Sequence, residues 1–306
     1  FTQTLGTSNY RAGVNAGNSI ESGGNYNVVV GDEAGTALTT GDYNTSLGFE
    51  ALKATTDRNS NVAVGAQVLF TNVNGAKATA VGTAALYTQN PATDVDTYNV
   101  AVGFEAGKLV TTGVQNTFIG GLSGDATNTG EKNTAVGHNS LGGNTTGSGN
   151  TTVGSYSLDA NTTADDNTAM GQSALGQNTK SSKNVALGRS ALTTLNHSTA
   201  TDGYNVAVGY NAGLSVTTGI QNTLIGGLAG DVLTDADYNV AVGVSALGAD
   251  TLGSKSTALG YSSLTSQNFT TATDSFNTAV GYTAGAAVTT GQYNTFLGGQ
   301  AGDATT

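Results

Sequence analysis

A chain of 306 residues with 45 glycines, one proline, no cysteine, no tryptophan and a net charge of −11 lacks the composition of an ordinary globular domain. The glycines follow no Gly-X-Y period and do not cluster with serine, which excludes collagen and a flexible linker, and the lack of cysteine excludes a disulfide framework. The 21 acidic residues against 10 basic ones repel phosphate backbones, so no nucleic-acid partner is expected, and no run approaches the ~18–20 apolar residues needed for membrane insertion.

Taken from the amino end, residues 1–26 form a degenerate N-terminal coil that contains NYRAG, ending at Gly13, and no signal-peptide pattern. The start at Phe1 reads as processing or a fragment. Residues 27–306 are a repeat domain built on blocks of the form N-[TV]-x-[VLIM]-G, such as NVAVG at 99–103 and 205–209. The closing glycines run from Gly31 to Gly298 at intervals of 17 residues twelve times and 21 residues three times. So short a period, made of a strand-like block and a turn-rich remainder, predicts an all-β parallel β-solenoid, or β-roll, of about 16 to 17 coils; helical repeats need roughly 33 residues or more. At ~4.8 Å per coil, sixteen coils would make a rod on the order of 75 Å.

Within the block, the second and fourth positions are aliphatic or Thr and share one face at period two, while the middle position is usually Ala. The expectation is that the aliphatic face lines the coil interior and that the flat Ala face lets another sheet approach. The opening Asn stands in 14 of 16 coils: Asn27, Asn44, Asn61, Asn99, Asn116, Asn133, Asn150, Asn167, Asn184, Asn205, Asn222, Asn239, Asn277 and Asn294, with Ala78 and Ser256 as exceptions. Stacked amides of this kind predict a hydrogen-bonded structural ladder. Four residues beyond the closing Gly, nine coils carry Leu and seven carry Gly. Where Leu is missing, Leu38, Val110, Val216 and Val288 are expected to refill the core, and Phe118, Leu224 and Phe296 to compensate volume in place of Ala.

The three 21-residue intervals contain LYTQNPATDVDTYN (86–99), LTTLNHSTATDGYN (192–205) and LTSQNFTTATDSFN (264–277). Insertions on one edge of a solenoid are natural contact loops. Asn90, Asp96 and Tyr98, then Asn196, His197, Asp202 and Tyr204, then Asn268, Phe269, Asp274 and Phe276 are therefore the candidate receptor-contact residues for a host-surface glycan or protein. The plainer reading of the three Asp is an Asx-turn to the backbone two residues on.

Catalysis has little to stand on, so no enzyme is expected. The two histidines, His138 and His197, sit at variable coil positions read as exposed, and the acidic pairs Asp165/Asp166 and Asp235/Asp237 lie in turns without a basic cluster. No metal-ligand spacing and no phosphate-cradling loop is present, so neither a metal nor a cofactor is expected. An ice-binding solenoid is a lower alternative, because exchange of Thr and Val at the second block position suggests an interior or half-buried site.

The Asn followed by [TV]-A-[VI]-G resembles the SVAIG-type repeat of trimeric autotransporter adhesin heads, whose fold is a left-handed parallel β-roll trimerised side by side. The longer pattern NVAVGxxAGxxVTTGxxNTxIGG, at 99–121 and 205–227, looks like repeats of bacteriophage tail-fibre proteins. The resemblance implies a homotrimer and a structural, receptor-binding segment of a virion tail fibre; the alternative is a bacterial surface adhesin or extracellular filament subunit. Both ends stop inside the repeat, which reads as a segment of a longer protein or as subunits stacking end to end.

Overall fold

A computed structural model describes residues 6–303, which fall into two compact units divided between Gly149 and Asn150. Neither contains a helix among the described residues. Both are stretches of a parallel β-solenoid of about 17 coils at about 17-residue spacing. In the first unit a three-residue strand recurs from Tyr10–Ala12 to Thr134–Val136; in the second, from Thr151–Val153 to Thr295–Leu297. Within each unit the strands pair in parallel with the equivalent strand of the next coil without slippage, as in Val206↔Thr223 and Thr223↔Val240. The degenerate coil belongs to the same stack, since Tyr10–Ala12 pairs with Val28–Val30 after an interval of 18 residues; its residues 1–5 lie outside the described part.

The Asn column is a ladder, but its rungs join amide to backbone more than amide to amide. The Oδ1 of Asn205 accepts the backbone N–H of Asn222 at 3.0 Å, and the Oδ1 of Asn222 accepts that of Asn239 at 3.0 Å. The Nδ2 of Asn222 donates to the carbonyl of Ala236 at 2.7 Å, closing the turn of its own coil. Asn9 is an additional first rung, accepting from the N–H of Asn27 at 2.8 Å. Because a rung needs only a backbone N–H from its neighbour, the columns reach Ala78 and Ser256 unbroken: Asn61 and Asn239 accept from their N–H groups at 3.0 and 2.9 Å.

The two faces of the strand are the reverse of the expectation. The middle residue of the block points inward and is fully buried, as at Ala101, Ala135, Ala207 and Ala258. The aliphatic fourth residue points outward, with Val102, Ile119, Met170 and Leu259 near 40% exposed. A 17-residue coil encloses too little width for two branched side chains per strand. Its interior is filled by the ladder Asn, the small middle residue, and the Leu that follows the closing Gly by four places.

That Leu adopts a left-handed backbone, φ 53° at Leu52 and 51° at Leu175, so glycine can replace it at no conformational cost. Volume compensation then follows as expected. A Cβ at Gly124 would fall 2.3 Å from the Phe118 ring, and one at Gly107 would fall 2.8 Å from it, so a single buried Phe fills two vacant Leu slots. Leu224 does the same for Gly213 and Gly230. Leu38, Val110, Val216 and Val288 are buried, as the sequence implied. Within each unit the closing glycines stack in a column; at Gly103 φ is 145° and a Cβ would lie 2.3 Å from the carbonyl oxygen of Gly120, which no other residue could tolerate.

Asn222→Ala should leave the Asn239 N–H and the Ala236 carbonyl without partners. At about 1–3 kcal/mol for each buried group left unpaired, the variant should unfold at clearly lower denaturant concentration than wild type, while a surface change such as Gln221→Ala should not.

Candidate functional site

The three insertions enter the stack by a short second ladder. Gly75–Ala76 pairs with Val95–Asp96, Ser181–Ser182 with Thr201–Asp202, and Gly253–Ser254 with Thr273–Asp274. The extra length bulges as an exposed tip at 92–94, 198–200 and 270–272.

Below each tip the structure joins the predicted Asp and ring to a lysine one coil earlier. Lys77 Nζ donates to Asp96 Oδ2 at 2.6 Å and lies 5.3 Å from the Tyr98 ring centre; Lys183 meets Asp202 at 2.6 Å and Tyr204 at 5.4 Å; Lys255 meets Asp274 at 2.5 Å and Phe276 at 5.2 Å. The lysine holds the Asp96 and Asp202 carboxyls below the usual carboxylate range, and the carboxylates raise Lys77 and Lys183 in turn. These Asp side chains therefore form exposed ion pairs in place of the Asx-turns expected of them. Exposed pairs of this kind add little to stability, so their main effect is to fix the ring. Phe276 is covered on both faces, since Tyr293 stacks on it at 5.3 Å. The lysines were absent from the sequence reading, although each stands 21 residues before its ring.

The other predicted contact residues separate from this cluster. Asn90, Asn196 and Asn268 are exposed, but their Oδ1 atoms serve the preceding coil: Asn196 accepts from Thr179 Oγ1 at 2.6 Å, Asn268 from Thr251 Oγ1 at 3.2 Å, and Asn90 from the N–H of Val73 at 3.2 Å. His138 is exposed as expected, whereas His197 is buried, only 8% exposed. It occupies the slot filled by Pro91 and Phe269 in the other insertions, and its Nε2 has no hydrogen-bond partner among the described residues. Burial lowers its pKa, with Asp235 and Asp237 acting in the opposite sense.

Two insertions also supply a glutamine that bonds the side chain of the ladder Asn. Ala78 and Ser256 cannot act as Asn does towards the next coil, and both lie one coil before an insertion. There Gln89 Oε1 accepts from Asn99 Nδ2 at 2.8 Å, and Gln267 Oε1 accepts from Asn277 Nδ2 at 2.8 Å. The middle insertion follows an intact rung, Asn184, and carries Leu195 at the same buried place. Gln267 also donates to Asp250 Oδ2 at 2.5 Å, and Asp250 accepts the backbone N–H groups of Phe269 and Gly253. Asp250 is fully buried in a column that holds Asn72, Asn144, Asn161 and Asn178 in other coils, and burial raises its pKa.

The chain matches no family model, no curated protein and no solved structure.

A buried carboxyl with a raised pKa favours the native state most below its unfolded value near 3.8, and that contribution is lost as pH rises through the folded value. Asp250→Asn can reproduce the Asn72–Gln89 arrangement, in which Asn72 donates to the Gly75 carbonyl at 2.8 Å. The variant should be more stable than wild type at pH 7 and lose that advantage towards pH 3.5, as followed by denaturant unfolding across the pH range.

Proposed function

We propose that this chain is a non-catalytic structural and receptor-binding segment of a phage tail fibre, assembled from copies lying side by side, with the insertion tips as host contacts. The observation that carries the reading is the outward face of the strands. Its fourth block position is Val, Ile, Leu or Met in all sixteen coils from Val30 to Leu297, and its second is Val or Thr; no charge interrupts either column. A solvent face would ordinarily be polar, and contiguous apolar patches of this kind mark association sites. In the second unit alone, nine three-residue strands present this face, from Thr151–Val153 to Thr295–Leu297.

A bacterial surface adhesin or extracellular filament subunit would use the same face. The outward Thr residues favour one further reading, ice binding, because the second block position lies on the outer face, half-buried as its Thr/Val exchange allowed. Against it, the neighbouring column varies from Val to Met, and half-exposed rings such as Tyr204 and Tyr210 flank the strand, so no flat plane results.

Wild-type protein should sediment as several copies, and the pair Val242→Glu and Leu259→Glu should yield a monomer with an unchanged circular dichroism spectrum. A wild-type monomer showing thermal hysteresis would reverse the choice. For the receptor role, glycine at all residues of 198–200 and 270–272 should lower binding of labelled protein to a susceptible bacterial strain at least fivefold; undiminished binding would remove the tips from the proposal.

A further inference from the structure

The position just after the closing Gly runs along one corner of the coil, beside the outward aliphatic face. Side chains there lie flat against one another along the stack. Tyr261 stacks on Tyr282 at 5.3 Å with 11° between the ring planes, and the Arg189 guanidinium lies 5.8 Å from the centre of the Tyr210 ring. Glycine occupies this position three times, at Gly121, Gly227 and Gly299, and each time in the coil that follows a ring, Phe104, Tyr210 or Tyr282. Those rings are 57, 52 and 59% exposed.

Neither the backbone nor the packing requires glycine at these places. None of the three has a positive φ, unlike Gly120, Gly226 and Gly298 directly before them. Among the described residues, a Cβ at Gly121 would meet nothing closer than the His138 ring at 3.9 Å, and one at Gly227 nothing closer than the Tyr210 carbonyl oxygen at 4.0 Å; at Gly299 nothing lies within 4 Å. A larger residue would fit, and in every other coil the position holds one. What glycine removes is the side chain that would cover the far face of the preceding ring. Each ring thereby keeps one open face, beside a notch one coil high, about 4.8 Å. In the next coil the side chains return, His138 beyond Gly121 and Val244 beyond Gly227.

Polar groups border the notches. The adjoining position carries Asn211 in the coil before Gly227 and Ser245 in the coil after it; Glu105 and Asn139 stand likewise about Gly121. Side chains of this adjoining column reach along the stack, as Gln67 Nε2 does in donating to Glu50 Oε2 at 2.9 Å. An open aromatic face with amide, hydroxyl and carboxylate groups at its margin suits a ligand that is apolar on one face and rich in hydroxyls at its edge. A pyranose ring has that form. The net charge of −11 disfavours acidic sugars and phosphate-bearing chains.

We infer that Phe104, Tyr210 and Tyr282 each hold one neutral pyranose unit of a host-surface polysaccharide, stacked on the ring face that Gly121, Gly227 and Gly299 leave open. Within the second unit Tyr210 and Tyr282 are four coils apart, roughly 19 Å, so weak single-sugar contacts on one polysaccharide reinforce each other through effective concentration. The inference rests on the receptor-binding role proposed above and supplies its ligand class, on residues separate from the insertion tips.

Saturation-transfer NMR with the methyl glycosides of glucose, galactose, mannose and N-acetylglucosamine reads single-sugar binding without any bacterial receptor. At least one glycoside should receive saturation, strongest at the C–H protons of one ring face. Gly121→Leu, Gly227→Leu and Gly299→Leu combined fill the notches and should reduce that transfer at least fivefold while the unfolding midpoint stays at the wild-type value. Phe104→Ala, Tyr210→Ala and Tyr282→Ala combined should give the same loss by removing the exposed rings, which keeps the test open if the leucines perturb folding. No transfer to any of the four glycosides, or undiminished transfer in both triple variants, would overturn the inference. Binding to a susceptible bacterial strain separates it from the role on which it rests. Cells held equally by wild type and both variants would keep the receptor role and sink the notches as its sugar sites, whereas glycosides bound by a protein that captures no bacteria would keep the notches and remove the role. Cell binding lost in the variants without any glycoside transfer would assign the notches to a side chain of a protein receptor and overturn the sugar.

Discussion

The interaction on which the structure depends is the bond between the side-chain oxygen of one Asn and the backbone N–H of the residue that opens the next coil. It fixes the axial repeat where the strand begins, and the amide nitrogen of the same Asn holds the carbonyl 14 residues further on, as Asn222 holds Ala236. One side chain thereby links neighbouring coils and closes its own turn. Where it is missing, the fold supplies another amide from elsewhere: Gln89 after Ala78 and Gln267 after Ser256. Leu195 serves where Asn184 makes an amide unnecessary. Buried amides of this kind leave little freedom, because an unpaired group in a dry interior costs more than a paired one contributes.

The ladder also sets the width of the coil and hence what fits inside. With Asn at one corner and Leu at the other, the middle of the strand has room for Ala. A Phe enters only where both adjacent Leu slots are glycine, as around Phe118. Branched residues that would form the core of a wider protein are therefore on the outer face. Exposure of Val102, Ile119 and Leu259 follows from the narrow interior.

The period, the strands, the Asn column and the exchange of Leu for Gly were legible because each repeats at a fixed offset, and the repeats act as an alignment within one chain. Alternation separated the two faces but could not say which was inner: the habit of placing Val inside and treating Ala as filler fails once the enclosed width is smaller than two branched side chains. The Lys77–Asp96, Lys183–Asp202 and Lys255–Asp274 pairs were illegible for another reason. They join residues 19 apart that belong to successive coils, so they emerge only when the chain is wound. His197 looked like an exposed variable residue, since nothing in its neighbours distinguishes it from Pro91 or Phe269 until the slot they share is seen to be buried.

The winding also separates two kinds of regularity in the sequence. Residues repeating every 17 places meet the next coil of the same chain, and this accounts for the Asn, Gly and Leu columns and for the stacked rings. Residues six apart within one coil, such as Tyr98 and Phe104, have no such meeting, because the strand between them is extended. Stacking alone would let each corner column vary independently, with aromatic residues falling at unrelated heights. Aromatic residues coincide in the coils of Tyr43, Tyr98, Tyr204 and Phe276, whereas Tyr26, Tyr238 and Tyr293 share their coils with Asp32, Val244 and Gly299. The outer aliphatic columns between those corners are constrained throughout: sixteen coils without a charge on a face that water alone would leave free to vary.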